Sequence, residues 1–159
     1  AVAINPSLYP NLAYDPVRDL APVSLVVNNV EMLVVHPSNP VNNPQEFIAA
    51  AKLKRITMAS SGTGSVPHLA MELLADATRT DLVHVPYKGG PPAMVDQIAG
   101  RVDVQVSNAM GALQQVKDGK LVALAVTSPE RFEQLPTVPT MAQAGVANFE
   151  TEANEGVQA

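Results

Sequence analysis

From residue 22 onward the chain alternates short β-branched runs with longer segments of helical periodicity, and this alternation restricts the fold more than any other feature. The runs "PVSLVV" (22–27), "EMLVVHP" (31–37), "RITMAS" (55–60), "DLVHVP" (81–86), "VDVQVS" (102–107) and "LVALAVTS" (121–128) read as strands. Between and after them, 42–54, 65–77, 91–100, 110–119 and a short stretch at 139–145 read as helices. Pro44 opens the first of these, and Gly100 and Gly119 are placed to end two others. Strand–helix–strand at this spacing predicts a mostly parallel sheet flanked by helices, an α/β fold with right-handed crossovers. Such sheets bind ligands beyond the carboxyl ends of their strands. The loops that matter are therefore "SSGTGS" (60–65), "PYKGGPP" (86–92) and "SNAMG" (107–111).

Composition narrows the function classes. A chain of 159 residues with 47% hydrophobic residues can bury a real core. A net charge of -5 argues against a nucleic-acid partner, which needs a basic face. No apolar run is long enough to cross a bilayer. With no cysteine there is neither a disulfide nor a thiolate metal site. Aromatics at 4%, without tryptophan, leave no stacking platform for bases. The opening "AVAINPSLYP" lacks the marks of a signal peptide, and both ends read as the interior of a longer chain.

The loop "SSGTGSVPHL" needs an explanation of its own. A nucleotide P-loop would require a lysine after its glycines, and the dinucleotide fingerprint a third glycine; both are missing. No G-x-S-x-G elbow exists, and Ser65 and His68, three apart, suit a helix cap better than a catalytic pair. His68 and Glu72 share a helix face, but two ligands do not make a metal site, so no metal and no cofactor are expected. A tight turn capped by Ser65, with Pro67 in the first helical turn, accounts for part of the motif. A carboxylate site accounts for more. A helix N-terminus carries free N–H groups and partial positive charge, glycines let the backbone approach, and hydroxyls add neutral donors.

Four strings carry a resemblance: "SSGTGSVPHLAMELL", "DLVHVPYKGGPPAMVDQIAGRVDVQVSN", "GKLVALAVTSPERFEQLPTVPTMAQAG" and "INPSLYPNLAYDPVRDLAPVSLV". Together they resemble the TctC or Bug family of extracytoplasmic solute receptors of tripartite tricarboxylate transport systems. The resemblance implies a type II periplasmic-binding-protein lobe, a periplasmic location, no enzymatic chemistry, and delivery of a small-molecule carboxylate to membrane permease subunits. It implies a domain plan in which 1–22 is a remnant of the first lobe, 23–35 the first hinge segment, 36–144 the second α/β lobe and 145–159 the second hinge segment. An exposed inter-lobe face would also permit self-association. The ligand-binding residues expected from the resemblance are Ser61, Thr63, Gly64 and Ser65 on the first loop, Tyr87 and Lys88 on the second, and Ser107 and Asn108 on the third. His68 could orient a ligand or serve the fold. The sequence departs from the family at "AKLKRITMAS", where helix meets strand almost without a loop. It departs again where Glu152, Asn154 and Glu155 replace aromatic or apolar residues. Two rival readings stay open: an α/β enzyme acting on a carboxylated substrate, and a lobe fragment without ligand function of its own.

Overall fold

Asn28 and Asn29 look like a turn between two strands, yet the backbone runs straight through them. In the computed structural model, which describes residues 2, 4–147 and 149–158, both expected strands merge into one, β1 (Pro22–Val35). The order along the chain is α1 (Asn5–Leu8), β1, α2 (Pro44–Leu53), β2 (Ile56–Ser60), α3 (Val66–Thr78), β3 (Leu82–Pro86), α4 (Gly90–Ile98), β4 (Val104–Asn108), α5 (Ala109–Lys117), β5 (Val122–Val126) and β6 (Glu152–Gln158). The alternation from α2 to β5 matches the sequence expectation to within a few residues.

The strands lie in the order β3-β2-β4-β1-β5. β2 pairs parallel with β3 and with β4, while β1 pairs antiparallel with both β4 and β5. The sheet is thus mixed: β2, β3, β4 and β5 share one direction and β1 runs against them. Helices cover both faces. On one face Phe47 and Ala51 of α2 and Ala70, Met71 and Leu74 of α3 pack on Leu33, Val35, Ile56, Met58, Val104 and Val106. On the other, Ala109 and Ala112 of α5, with Met94 and Ile98 of α4, meet Met32, Val34 and Val126. These alternating residues explain why β1 changes from exposed to buried along its length: only its second half, from Glu31 to Val35, lies within this three-layer stack.

The first half of β1 leaves the core and pairs antiparallel with β6, from Pro22↔Gln158 to Val30↔Glu152, as a two-stranded ribbon. Its outward positions leave Val23, Leu25 and Val26 exposed. A strand at 152–158 was not expected, nor was the turn that replaces the short helix at 139–145. There Gly145 takes a positive φ of 87°, Val126 and Thr140 form an isolated parallel bridge, and Met141 and Val146 fold back into the core.

Because β2, β3 and β4 point the same way, their carboxyl ends and the amino ends of α3, α4 and α5 gather on one edge of the sheet. The candidate site lies along that edge. Among the described residues, no helix is long and apolar enough to cross a membrane.

Candidate functional site

Each helix on this edge starts for a local reason. The Ser65 side chain caps α3 by accepting from the His68 N–H at 3.4 Å, and Asn108 Oδ1 caps α5 by accepting from the Gly111 N–H at 3.2 Å. Gly89, at φ 104°, turns the chain into α4, a conformation open to glycine but strained for other residues. In the loop before α3, Gly62 and Gly64 have φ values of 131° and 77°. Gly64 is buried beneath α1, where an added Cβ would run into Leu8 Cδ1.

Much of this loop's hydrogen-bonding capacity is spent on its own shape. The Gly62 N–H donates to Ser60 Oγ (3.1 Å), Ser65 Oγ donates to Gly62 O (2.7 Å), and the Gly64 N–H donates to His68 Nδ1 (3.1 Å). Since Nδ1 accepts, a neutral His68 carries its proton on Nε2, which faces Glu72 Oε1 at 3.4 Å. The His68 ring also stacks on His84, with centroids 3.9 Å apart. His84 Nε2 lies 2.6 Å from Ser60 Oγ, and burial, followed by the neighbouring His68, lowers the His84 pKa below 6.5. A serine–histidine contact of this kind would interest an enzymologist. Here Ser60 is fully buried, its hydroxyl is shared with Gly62, and neither residue lines the cavity described next.

That cavity, of about 750 Å³, opens along the edge between α3, α4, α5 and β6. This volume is in the range that holds small ligands. Of the expected site residues, the structure brings Ser61, Ser65, Ser107 and Asn108 to its wall. It does not bring Thr63, Gly64, His68, Tyr87 or Lys88 there. Thr63 and Lys88 are exposed and do not line the cavity, Gly64 lies under Leu8, and His68 braces the loop. Tyr87 turns inward to pack beside Ala59, Ala93 and Val102, and its hydroxyl donates to Asp96 Oδ2 at 2.8 Å. Asp96 also accepts from Arg101 Nη1 at 2.7 Å, so this trio ties α4 to its own loops.

The anion-binding capacity of the edge is modest. Pro67, Pro91 and Pro92 remove N–H donors from the first turns of α3 and α4, and Ser65 Oγ is already committed to Gly62 O. α5 begins at Ala109 without a proline, so no ring removes a donor from its first turn, although the Gly111 N–H there is already taken by Asn108 Oδ1; Ser107 and Asn108 stand beside it.

Sequence reasoning missed the acidic side of the cavity. Glu31 lines it while only 4% exposed, and its Oε2 has no hydrogen-bond partner; burial pushes the Glu31 carboxyl up to about 7. Glu155 lines it from β6 and accepts from Asn29 Nδ2 at 2.9 Å. Gln105 of β4 and Gln115 of α5 also line the cavity, and each carries a buried Oε1 without a hydrogen-bond partner. The signal for Glu31 was a lone acidic residue inside the apolar run "NNVEMLVV". Asn154 and Glu155, noted as departures from the family, stand on the cavity wall.

The family described as "Tripartite tricarboxylate transporter family receptor" matches residues 1–159. Protein BugT of Bordetella pertussis is 35% identical over 150 residues, covering 93% of this chain and 46% of that protein. The structure of the periplasmic binding protein BugD superimposes with a TM-score of 0.93 at 34% identity, over 99% of this chain and 54% of that one. Rpa4515 of R. palustris, solved with adipate, superimposes with a TM-score of 0.89 at 33% identity, over 95% of this chain and 51% of that one. The chain thus spans about half the length of the relatives it matches.

Proposed function

The chain belongs to the tripartite tricarboxylate transporter receptor family, and from that premise we propose that it forms one lobe of a periplasmic receptor that captures a small organic carboxylate for a membrane permease. The observation that carries this reading is the cavity at the carboxyl edge of the sheet, bounded by the amino ends of α3 and α5 and by Ser61, Ser65, Ser107 and Asn108. Neutral donors at helix N-termini hold a carboxylate without a strong ion pair, which suits a receptor that must give its ligand up again. The adipate in Rpa4515, a structural neighbour, has the same chemistry.

In this reading residues 36–144 are the second lobe, 1–22 belong to the first, and the two strands of the β1–β6 ribbon are the connections between them. The other half of the receptor closes over the cavity. The ribbon's exposed valines and leucine are then the surface against which that half, or a second copy of the chain, packs. No step of the proposal needs a nucleophile or a cofactor.

The test is a calorimetric and protein-observed NMR titration of the full-length receptor with mono-, di- and tricarboxylates and their neutral amide analogues. Saturable binding of an acid but not of its amide, with shifts centred on Ser61, Ser65, Ser107 and Asn108, is the expected result. Binding of no carboxylate, or shifts confined to other residues, overturns the proposal.

A further inference from the structure

Two carboxylates stand on the wall of a cavity that is to hold a third. β1 contributes Glu31 and β6 contributes Glu155, and among the described residues no lysine, arginine or histidine on that wall balances them. Glu155 is exposed on the ribbon and accepts from Asn29 Nδ2. Glu31 differs. It is buried where β1 enters the core, and its Oε2 has no hydrogen-bond partner. A buried carboxylate in that condition is costly, and a proton removes the cost.

Register sets Glu31 against the place of the anion. Its cross-strand partner is Asn108, the residue that caps α5. Directly opposed residues on antiparallel strands lie about 5 Å apart and share a face. A carboxylate seated at the α5 end, beside Ser107 and Asn108, is thus within one strand spacing of Glu31. Two carboxyl groups that share a site do not both ionise. Gln105 and Gln115, on the same wall, can turn an amide N–H toward an anion, but a glutamate has a donor only when it is protonated.

The surroundings leave that proton to Glu31. β4 presents Ser107 and Asn108, and α3, α4 and α5 bring no titratable side chain to the cavity wall among the described residues. Thr127, which follows β5, is neutral and donates its N–H and Oγ1–H to the Glu31 carbonyl. Val30 borders a separate hollow with Glu130, Arg131 and Glu133, where Arg131 is bonded to Gln143 and to Pro136 O. His68 and Glu72 of α3 face one another and do not line the cavity. Burial alone raises the Glu31 carboxyl to about 7, so its proton is exchanged at ordinary pH.

We propose that Glu31 meets the ligand as a neutral acid, donating Oε2–H to the ligand's carboxylate, so that the receptor takes up a proton from solvent together with the anion. The proposal rests on the carboxylate reading above and assigns a residue and a proton to it. Above pH 7 the unliganded receptor has lost the proton that the complex holds. Binding must then restore it, and affinity falls as pH rises.

The test is calorimetry of the full-length receptor with benzoate, succinate, adipate and citrate, whose own carboxyls are ionised over pH 7 to 9. For whichever of them binds, affinity should weaken about 10- to 50-fold from pH 7 to pH 9. At pH 8, heats in buffers of different ionisation enthalpy should show uptake of a fraction of a proton. Glu31→Gln offers an amide N–H in the same place without a titration. It should keep the affinity that the parent has at pH 7, hold it to pH 9 and take up no proton. Glu31→Ala, with no donor, should bind more weakly at pH 7 and show the same flat profile. Affinity that does not change with pH in the parent overturns the proposal and leaves the carboxylate receptor standing. So does a pH dependence or proton uptake that survives Glu31→Gln, and one that vanishes in Glu155→Gln instead assigns the proton to β6. Binding of none of the four acids overturns the carboxylate reading and this proposal with it.

Discussion

Glu31 should make this protein less stable as pH rises, and replacing it should reverse the trend. The carboxyl is 4% exposed, lacks a partner on Oε2, and is raised from 4.5 to about 7 by burial alone. Between those two values the unfolded chain has given up the proton while the folded chain still holds it. Stability therefore falls as pH rises through this window and stays low above it. At about 1.4 kcal/mol for each pH unit, the shift places the cost of the folded carboxylate near ~3 kcal/mol at pH 8.5. Glu31→Gln removes the charge while keeping an amide of similar shape. For a domain of this size, the variant's melting temperature should exceed the parent's by about 6–12 °C at pH 8.5. At pH 4 the parent is neutral as well, and the gap should close. Differential scanning calorimetry of both proteins, without ligand, across pH 4 to 8.5 makes the measurement. An equal gap at both ends of that range, or no gap at pH 8.5, would refute the reasoning: Glu31 would then be solvated or paired in the fold.

Two further predictions concern the framework around the site. Asp103 Oδ2 accepts from the Thr57 N–H at 2.8 Å and from Thr57 Oγ1 at 2.7 Å, tying β2 to the start of β4. Asp103→Ala should cost about 2–4 kcal/mol, seen as a lower urea midpoint at unchanged slope, with Asp103→Asn recovering part of it. For His84, whose pKa burial lowers, the folded chain resists protonation, so stability is retained above 6.5 and lost as pH falls below it. The NMR titration midpoint of His84 should lie below 6.5, and a midpoint at or above that value would mean that the His68–His84 stack is open to water.

The elements from α2 to β5 were legible because each is short, locally consistent and bounded by its own cap or turn. Ser65 caps its helix as its sequence position suggests, and Asn43 and Asn108 cap theirs as well. What the sequence hid depends on partners far along the chain. Asn28 and Asn29 have turn chemistry, but pairing with Asn154 and Ala153 holds them extended. "EANEGVQ" has little strand propensity and becomes β6 only because β1 offers it an edge. The apolar spacing of 139–145 suggested a helix, yet a chain this short gains more by sending Met141 and Val146 into the core from successive turns. At the site, the motif loop was easy to notice, but hydroxyl and glycine content could not reveal that His68, Gly64 and Ser65 are bonded to one another or packed away. Which of them meets a ligand is decided by φ angles and by Leu8, a residue far earlier in the chain.

The ribbon of β1 and β6 also has a history in time. Its strands meet across a wide gap: Asn29 and Glu155, which share a hydrogen bond, are 126 residues apart. Closing a loop of that length early would cost entropy for little return. Once the lobe has formed, however, Thr151 N–H donates to Thr127 O at 3.1 Å and Phe149 is buried, so the returning chain is delivered beside β1. β6 then zips onto a strand whose other half is already fixed in the sheet. On a ribosome, where residues 152–158 are made long after 22–30, Val23, Leu25, Val26 and Val27 wait with neither strand edge paired, the interval in which a chaperone or a neighbouring nascent chain has its best access.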